Sequence, residues 1–185
     1  MQKIIVLSGP SGVGKDAVIQ TIIDKNDDFV VPITMTSRPK RENEKNGHDY
    51  YFVSNEEFEL SIKKDDLVEY STVYEYYYGL PKSSMLEALA TGKNILVRLD
   101  VQGAINLMKQ YSSSVSIFVS PENMEQLFQR INSRNQENQK EIHRRMDIAI
   151  QEISQANLFD HVVLNEDGQL DATAEIIMDL IKYNK

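Results

Sequence analysis

Short apolar runs alternate with amphipathic stretches along most of the chain. Residues 4–7 form an apolar, β-rich run that ends in Gly-Pro-Ser-Gly. Apolar residues then recur at a helical spacing at Ala17, Val18, Ile22 and Ile23. This pattern predicts a strand, a glycine-rich turn and a helix.

Three later apolar runs predict further buried strands, at 94–100, 115–119 and 161–165. Helical patterns fill the gaps between and after them, near 101–110, 122–134, 140–157 and 170–183. Strands that alternate with helices usually form a parallel sheet that is covered on both faces. We therefore predict an α/β fold with a central parallel sheet flanked by helices.

Residues 33–93 interrupt this alternation. They are polar and rich in tyrosine, with short strand-like pieces such as DYYFV and LVEYSTVY and with helical patterns near 55–64 and 82–91. We interpret this region as an α+β insertion into a single domain. The core of that domain is then expected to comprise residues 1–32, 94–125 and 156–185.

A second unusual stretch lies further along the chain. The segment SRNQENQKE at 133–141 has no apolar residue. Such a stretch cannot pack into a core, so it predicts an exposed, mobile segment between two helices.

Composition and charge exclude several classes of partner. The 185 residues carry a net charge of −8, which disfavours binding to nucleic acid, and include no cysteine for disulfides or thiolate metal sites. No apolar run approaches the roughly 20 residues of a membrane span. The first strand begins almost at once, without room for a signal peptide. We expect a cytoplasmic monomer or homodimer without a membrane or nucleic-acid partner.

The turn after the first strand carries the pattern Gly-x4-Gly-Lys. Glycines let backbone N–H groups converge on phosphate oxygens, and the N-terminus of the following helix adds partial positive charge. The lysine can then reach the β- and γ-phosphates. The pattern predicts a nucleotide site made by Gly9, Pro10, Ser11, Gly12, Val13, Gly14 and Lys15.

Asp16 stands where this pattern usually has a Ser or Thr hydroxyl that holds Mg²⁺. An acidic residue in the first helical turn is favourable with the helix dipole, by roughly 0.3–1 kcal/mol, and this alone would explain it. A carboxylate is also a hard oxygen ligand that suits Mg²⁺. Asp16 is therefore a candidate metal ligand.

Several blocks, in the right order, resemble the guanylate kinase family nearly from end to end. They are SGPSGVGK, TSRPKRENEKNGHDYYFVSNEEF at 36–58, LVEY, YYYGLP and LDVQGA. The resemblance implies a P-loop kinase with a GMP-binding insertion at 33–93 and a mobile lid at 126–155. It also implies Mg²⁺-dependent transfer of the γ-phosphoryl group of ATP to GMP, giving ADP and GDP.

A phosphate site is expected in the insertion. Arg38 and Arg41 lie three residues apart beside Pro39, and two guanidinium groups can hold a phosphate from two sides. Ordinary surface charge would also explain this pair. Together with the hydroxyls of Tyr50 and Tyr78, we expect them to bind the phosphate of GMP.

The resemblance implies that Glu69 reads the base. A carboxylate can accept from guanine N1–H and N2–H₂ together, whereas adenine offers no such pair of donors; an exposed strand glutamate is the alternative. Thr34 is similar to the hydroxyl donor near guanine O6, while Leu80 replaces a hydroxyl residue of the family. Asp100 is expected to end a buried strand near the acceptor and the metal, or else to be a structural cap.

The resemblance also implies how the site closes. Arg134 and Arg145 match arginines that close over the triphosphate, with Arg145 also reaching GMP, and Asn165 matches a contact on the adenine side. Arg130 and Arg144 are interpreted as surface charge. The residues expected to act in catalysis are Lys15, Arg38, Asp100, Arg134 and Arg145.

Arg98 departs from the family, which has an acidic residue in this position. Strand alternation places Arg98 and Asp100 on one face, at the sheet edge where the phosphate loop also lies. We hypothesise that Arg98 pairs with Asp16, Asp100 or both, and so compensates the charge of Asp16. The alternative is that Arg98 points into solvent.

Two other functions fit parts of the sequence. A related ribose 1,5-bisphosphate phosphokinase shares a Gly-Lys-Asp loop, but Arg38, Arg41, Glu69 and DVQG favour a guanine nucleotide. The second alternative is a non-catalytic guanylate-kinase-like domain that binds phosphopeptides. Such domains typically lose the lysine and lid arginines that this chain keeps.

Overall fold

The computed structural model describes residues 2–133 and 139–183. Five parallel strands form the central sheet in the order β2-β7-β1-β8-β9. Their bounds are Ile4–Ser8 (β1), Phe29–Val30 (β2), Asn94–Arg98 (β7), Val115–Pro121 (β8) and His161–Asn165 (β9). The predicted parallel sheet is confirmed; the two-residue strand β2 was not predicted.

Both faces of this sheet are buried. On β1, Ile5 and Leu7 belong to one core cluster and Val6 to another, as the alternation of side chains along a strand requires. The first cluster packs under α1 (Lys15–Lys25) and α7 (Leu170–Tyr183), and the second under α3 (Lys82–Ala90) and α4 (Val101–Gln110). Helices therefore cover both faces, as the sequence pattern predicts.

A second sheet lies within residues 33–93. It has the order β4-β3-β6-β5, made of β3 (Met35–Thr36), β4 (Tyr51–Phe52), β5 (Leu67–Val73) and β6 (Tyr76–Pro81). Helix α2 (Asn55–Lys63) begins at a capping box in which Ser54 and Glu57 exchange hydrogen bonds. Leu80 and Met85 of this region join the second core cluster, so the insertion shares apolar packing with the main sheet.

Two further helices lie between β8 and β9. They are α5 (Met124–Ser133) and α6 (Gln139–Ile153), and they pack on each other through Leu127, Ile131, Ile142 and Ala149. The predicted helices near 101–110, 122–134, 140–157 and 170–183 are thus all present, with ends shifted by a few residues. No helix in the described ranges is long and apolar enough to cross a membrane.

Candidate active site

The turn between β1 and α1 depends on glycine. Gly9, Gly12 and Gly14 all have positive φ, at 145°, 86° and 101°. A Cβ on Gly9 would lie 2.2 Å from the carbonyl oxygen of Val119, which no side chain can accommodate without a backbone shift. The turn can therefore present its backbone at close range to a ligand, as the Gly-x4-Gly-Lys pattern predicts.

Lys15 is folded back onto this turn. Its ammonium group donates to the carbonyl oxygens of Gly9, at 2.5 Å, and Pro10, at 3.2 Å. Burial lowers the pKa of Lys15, while the nearby carboxylates of Glu152 and Asp16 oppose that change. A negatively charged ligand at the loop would stabilise this buried ammonium group further.

Helix α6 brings two buried side chains to the loop. Arg145 donates from Nη2 to Ser11 Oγ at 2.8 Å, and Glu152 accepts from the Ser11 N–H at 3.2 Å. Arg145 was predicted, but Glu152 was missed. The two residues are seven apart, which places them on the same face of a helix, and this spacing could have found Glu152. Burial raises the pKa of Glu152, and the charge of Lys15 opposes that change.

Arg38 is held in a fixed orientation inside the insertion. Its guanidinium group makes a two-pronged ion pair with Glu44, at 2.8 and 3.0 Å, and lies over the ring of Tyr50 at 5.7 Å. Arg41 is also near Glu44, 3.9 Å away. Sequence reasoning missed Glu44. Glu44 orients the two arginines. The rings of Tyr78 and Tyr50 pack edge to face, with their centroids 6.2 Å apart.

Glu69 is a buried acid with an unsatisfied oxygen. Its side chain lies beside a register shift in β5, and its Oε2 has no hydrogen-bond partner among the described residues. Burial, reinforced by the charge of Asp100, raises the pKa of Glu69 to about 8. The buried Oγ1 of Thr34 likewise lacks a partner there. Leu80 lies fully inside the core and offers no polar contact.

Asp100 does not end a strand, because β7 ends at Arg98. Instead, Asp100 is the N-cap of α4 and accepts from the Gly103 N–H at 3.0 Å and from Ser71 Oγ at 2.5 Å. The alternative of a structural cap is therefore confirmed. The cap still brings Asp100 to the carboxyl edge of the sheet, where open α/β sheets bind ligands.

The predicted pairing of Arg98 with Asp16 is confirmed. Nη1 of Arg98 lies 2.8 Å from Oδ1 of Asp16, and the arginine side chain is only 17% exposed. Its other terminal nitrogen donates to the backbone oxygen of Asp49 at 2.7 Å. The charge introduced by Asp16 thus has a close cationic partner.

A smaller cavity lies on the other side of the loop. Asn165 and Arg130 both donate to the carbonyl oxygen of Val13, at 2.7 and 2.9 Å, and Arg130 also pairs with Asp167. Arg130 was expected to be surface charge, and this was wrong because α5 carries it against the loop. Arg144 is partly exposed and pairs with Glu75 at 3.1 Å. The predicted residue Arg134 lies outside the described residues.

One cavity of about 730 Å³ joins the loop to the insertion, a volume typical of ligand sites. Glu69 does not line this cavity. It lies close to Asp100, since a Cβ on Gly103 would lie within 3.3 Å of an oxygen of each. The predicted residues on the wall are Ser11, Gly12, Gly14, Lys15, Asp16, Thr34, Arg38, Arg41, Tyr50, Tyr78, Asp100 and Arg145.

Comparison with known proteins agrees with this arrangement. The family model described as guanylate kinase matches residues 1–184. The chain belongs to the guanylate kinase family. It is 36% identical to guanylate kinase of Caldanaerobacter subterraneus subsp. tengcongensis and 37% identical to that of Gloeobacter violaceus. Each match covers 98% of this chain and 87% of the relative.

Solved structures give the same family. Guanylate kinase from Anaplasma phagocytophilum superimposes with a TM-score of 0.80 at 31% identity, covering 98% of this chain and 85% of that one. Shikimate kinase from Bacteroides thetaiotaomicron, at 15% identity and a TM-score of 0.53, shares the fold alone.

Proposed function

We propose that the protein is an ATP:GMP phosphotransferase that converts ATP and GMP to ADP and GDP. The observation that carries this proposal is the pair of buried, unpartnered polar atoms in the insertion, Thr34 Oγ1 and Glu69 Oε2. Thr34 lines the larger cavity, and Glu69 lies behind it beside Asp100; one is a hydroxyl donor and the other a carboxylate acceptor when ionised. Guanine complements both, through O6 and through N1–H with N2–H₂.

Burying polar atoms without partners is costly, on the order of 1–3 kcal/mol for each atom. A guanine base would supply the missing hydrogen bonds, whereas adenine offers no pair of donors that would match the carboxyl group of Glu69. The base preference therefore follows from the side chains that the fold leaves unsatisfied.

The phosphate groups of the two substrates would meet in the larger cavity. Arg38, Arg41, Tyr50 and Tyr78 would hold the phosphate of GMP, and the glycine-rich loop with Lys15 would hold the β- and γ-phosphates of ATP. The smaller cavity with Asn165 and Arg130 would take the adenosine end. An oxygen of the GMP phosphate attacks the γ-phosphorus as the bond to the β-phosphate oxygen breaks.

Catalysis in this scheme consists of positioning and charge neutralisation. Lys15 and Arg145 both lie at the loop, so their charges would face the transferring group. Arg38 would neutralise the acceptor, and Arg134 would add a further cation from the proposed lid at 126–155. Closure of the insertion and lid over the core would exclude the water that otherwise hydrolyses ATP.

Mg²⁺ would arrive with ATP. The described residues include no group of three His, Cys, Asp or Glu side chains that could bind a metal ion. Asp16, at the end of the loop, would be the protein's contribution, with most ligands supplied by phosphates and water. This matches the way Mg²⁺ is usually bound in kinases. The ion would neutralise the β- and γ-phosphate charge.

The setting of this reaction is purine nucleotide metabolism, and we infer a cytoplasmic monomer or homodimer. The net charge of −8 supports a protein without a nucleic-acid partner. The cationic side chains of the cavity favour small anionic substrates instead.

A panel of acceptors tests the proposal. ADP release would be measured with ATP and Mg²⁺ in the presence of GMP, AMP, CMP, UMP or ribose 1,5-bisphosphate. We expect kcat/KM for GMP to exceed that for AMP by about 100-fold or more. Equal use of AMP and GMP, or a preference for ribose 1,5-bisphosphate, would refute the assignment. Binding of a phosphopeptide without any turnover would indicate a non-catalytic domain.

A further inference from the structure

Arg98 touches both halves of the site at once. It extends from the end of β7 in the central sheet, and its Nη1 pairs with Asp16 in the first turn of α1. Its Nη2 donates to the backbone oxygen of Asp49, and its guanidinium group lies 4.4 Å from the centre of the Tyr50 ring. Asp49 and Tyr50 belong to the insertion.

The two groups of contacts differ in how they would respond to movement. Arg98 and Asp16 both belong to the core, so their pairing persists wherever the insertion lies. The contacts with Asp49 and Tyr50 exist only while the insertion is close to the core. Any change in the position of the insertion therefore changes the surroundings of the Arg98–Asp16 ion pair.

Those surroundings decide how well the charge of Asp16 is neutralised. The Asp16 side chain is 65% exposed, and a pair open to water is weak. The Tyr50 ring covers the guanidinium group and excludes water from one side, which strengthens the attraction.

We propose that Arg98 is a positioning residue that couples the two nucleotide sites, so that filling either one raises the affinity of the other. The proposal rests on the function proposed above. GMP would hold the insertion against Arg98, and Arg98 would then offset the negative charge of Asp16 beside the triphosphate. By linkage, bound ATP would strengthen GMP binding by the same factor.

Calorimetric titration of GMP, with and without the β,γ-imido analogue of ATP and Mg²⁺, measures this coupling. In the unmutated protein we expect the analogue to tighten GMP binding about fivefold or more. Arg98→Gln and Asp16→Asn should each bring that factor close to one, and combining them should cause little further loss because both remove the same interaction. Because Asp16 is also the proposed contact to Mg²⁺, the titrations are repeated without Mg²⁺, where the same loss of coupling is expected. Arg98→Lys, which keeps the charge but loses one contact, should retain part of the factor.

The matched control is Arg144→Gln. It also removes an arginine contact to the insertion, with Glu75, but one that does not reach Asp16. Coupling should survive in this variant. Loss of coupling in Arg144→Gln to the same extent would overturn the role of Arg98, because any contact that favours closure would then suffice.

Three other results would also overturn it. They are full coupling in Arg98→Gln, equal weakening of GMP binding with and without the analogue, and an unmutated protein whose two sites bind independently. Asp16→Asn changes a mostly exposed side chain, so it remains informative if Arg98→Gln fails to fold. Turnover of GMP by the unmutated protein separates the two proposals, since its absence would remove the kinase function itself.

Discussion

The phosphate loop and the insertion differ in whether the polar side chains at the site have hydrogen-bond partners within the protein. In the loop, two side chains that face the site have partners within the protein: Lys15 donates to two carbonyl oxygens, and Ser11 bonds to Glu152 and Arg145. In the insertion, Thr34 Oγ1 and Glu69 Oε2 are buried without partners among the described residues. These two loop side chains thus have partners before a ligand arrives, whereas Thr34 and Glu69 would gain theirs from the proposed guanine base.

This difference separates affinity for phosphate from selection of a base. A loop made of backbone groups binds any polyphosphate of suitable size, since it reads charge and shape. An unsatisfied carboxylate penalises every base that lacks the matching donors. The specificity of the enzyme should therefore reside in the insertion and its catalytic power at the loop.

The most severe test of this division is Lys15→Met. Because Lys15 should neutralise developing charge on the transferring phosphoryl group, kcat should fall by about 100-fold or more, on the order of 3 kcal/mol. The affinity for GMP, measured by calorimetry in the absence of ATP, should change little. Near-normal turnover would contradict the proposed role of the loop.

The next largest effect is expected from Glu69→Gln. An amide cannot accept both guanine donors through two oxygens, so kcat/KM for GMP should fall by about 10-fold or more. The same change removes a buried acid, so the melting temperature of the free protein should not fall. If the variant lost stability while GMP turnover stayed unchanged, Glu69 would be a structural residue and would not select the base.

The pH dependence of GMP binding is a second test of the proposed contact between Glu69 and guanine. With a pKa of about 8, Glu69 is mostly protonated at neutral pH in the free protein, and guanine must bind its ionised form. GMP affinity should therefore rise by about tenfold between pH 7 and pH 9, with release of a proton that titration in two buffers detects. The Glu69→Gln variant should lose this rise.

Glu69 should also make the stability of the free protein depend on pH. Its contribution to stability falls as the pH rises, whereas GMP affinity rises. A raised pKa means that the folded protein holds the proton more tightly than the unfolded chain does. The contribution of Glu69 is then fully present below its ordinary pKa of 4.5 and is lost as the pH rises to about 8. Denaturant titrations at several pH values should show a smaller decline in Glu69→Gln.

The smallest effect is expected at the Arg144–Glu75 ion pair, which links α6 to the turn between β5 and β6. Its side chains are 44% and 72% exposed, and such pairs contribute less than about 1 kcal/mol. Arg144→Gln and Glu75→Gln should each change KM for GMP less than about threefold. A tenfold change would mean that this contact, and not only the base site, controls acceptor binding.

Local patterns predicted much of this molecule. The spacing of Gly9, Gly14 and Lys15 predicted the loop, since each glycine answers a backbone requirement within a few residues. Alternation along β7 and the unusual charges of Arg98 and Asp16 predicted their ion pair. In each case the prediction depends only on one element, or on two neighbouring parallel strands that end at the same edge of the sheet.

The residues that were missed depend on how elements pack. Glu152 and Arg130 reach the loop because α6 and α5 lie against it. The seven-residue spacing of Arg145 and Glu152 places both on one face of α6, but the contact of that face with the loop depends on tertiary packing. Strands of two residues such as β2 are too short for periodicity to show. Asp100 looked like the end of an apolar run, but the chain had already turned to begin α4.

Gly103 has a consequence for how base preference could change. A Cβ at this position would lie 2.6 Å from Oε2 of Glu69, the movable end of a side chain, whereas the nearest atoms to a Cβ on Gly9 are backbone. An alanine at 103 could thus be accommodated by rotating the carboxylate, leaving the scaffold intact. A single methyl group on α4, which acts through Glu69, thus offers a route by which drift or laboratory evolution changes which purine the enzyme accepts.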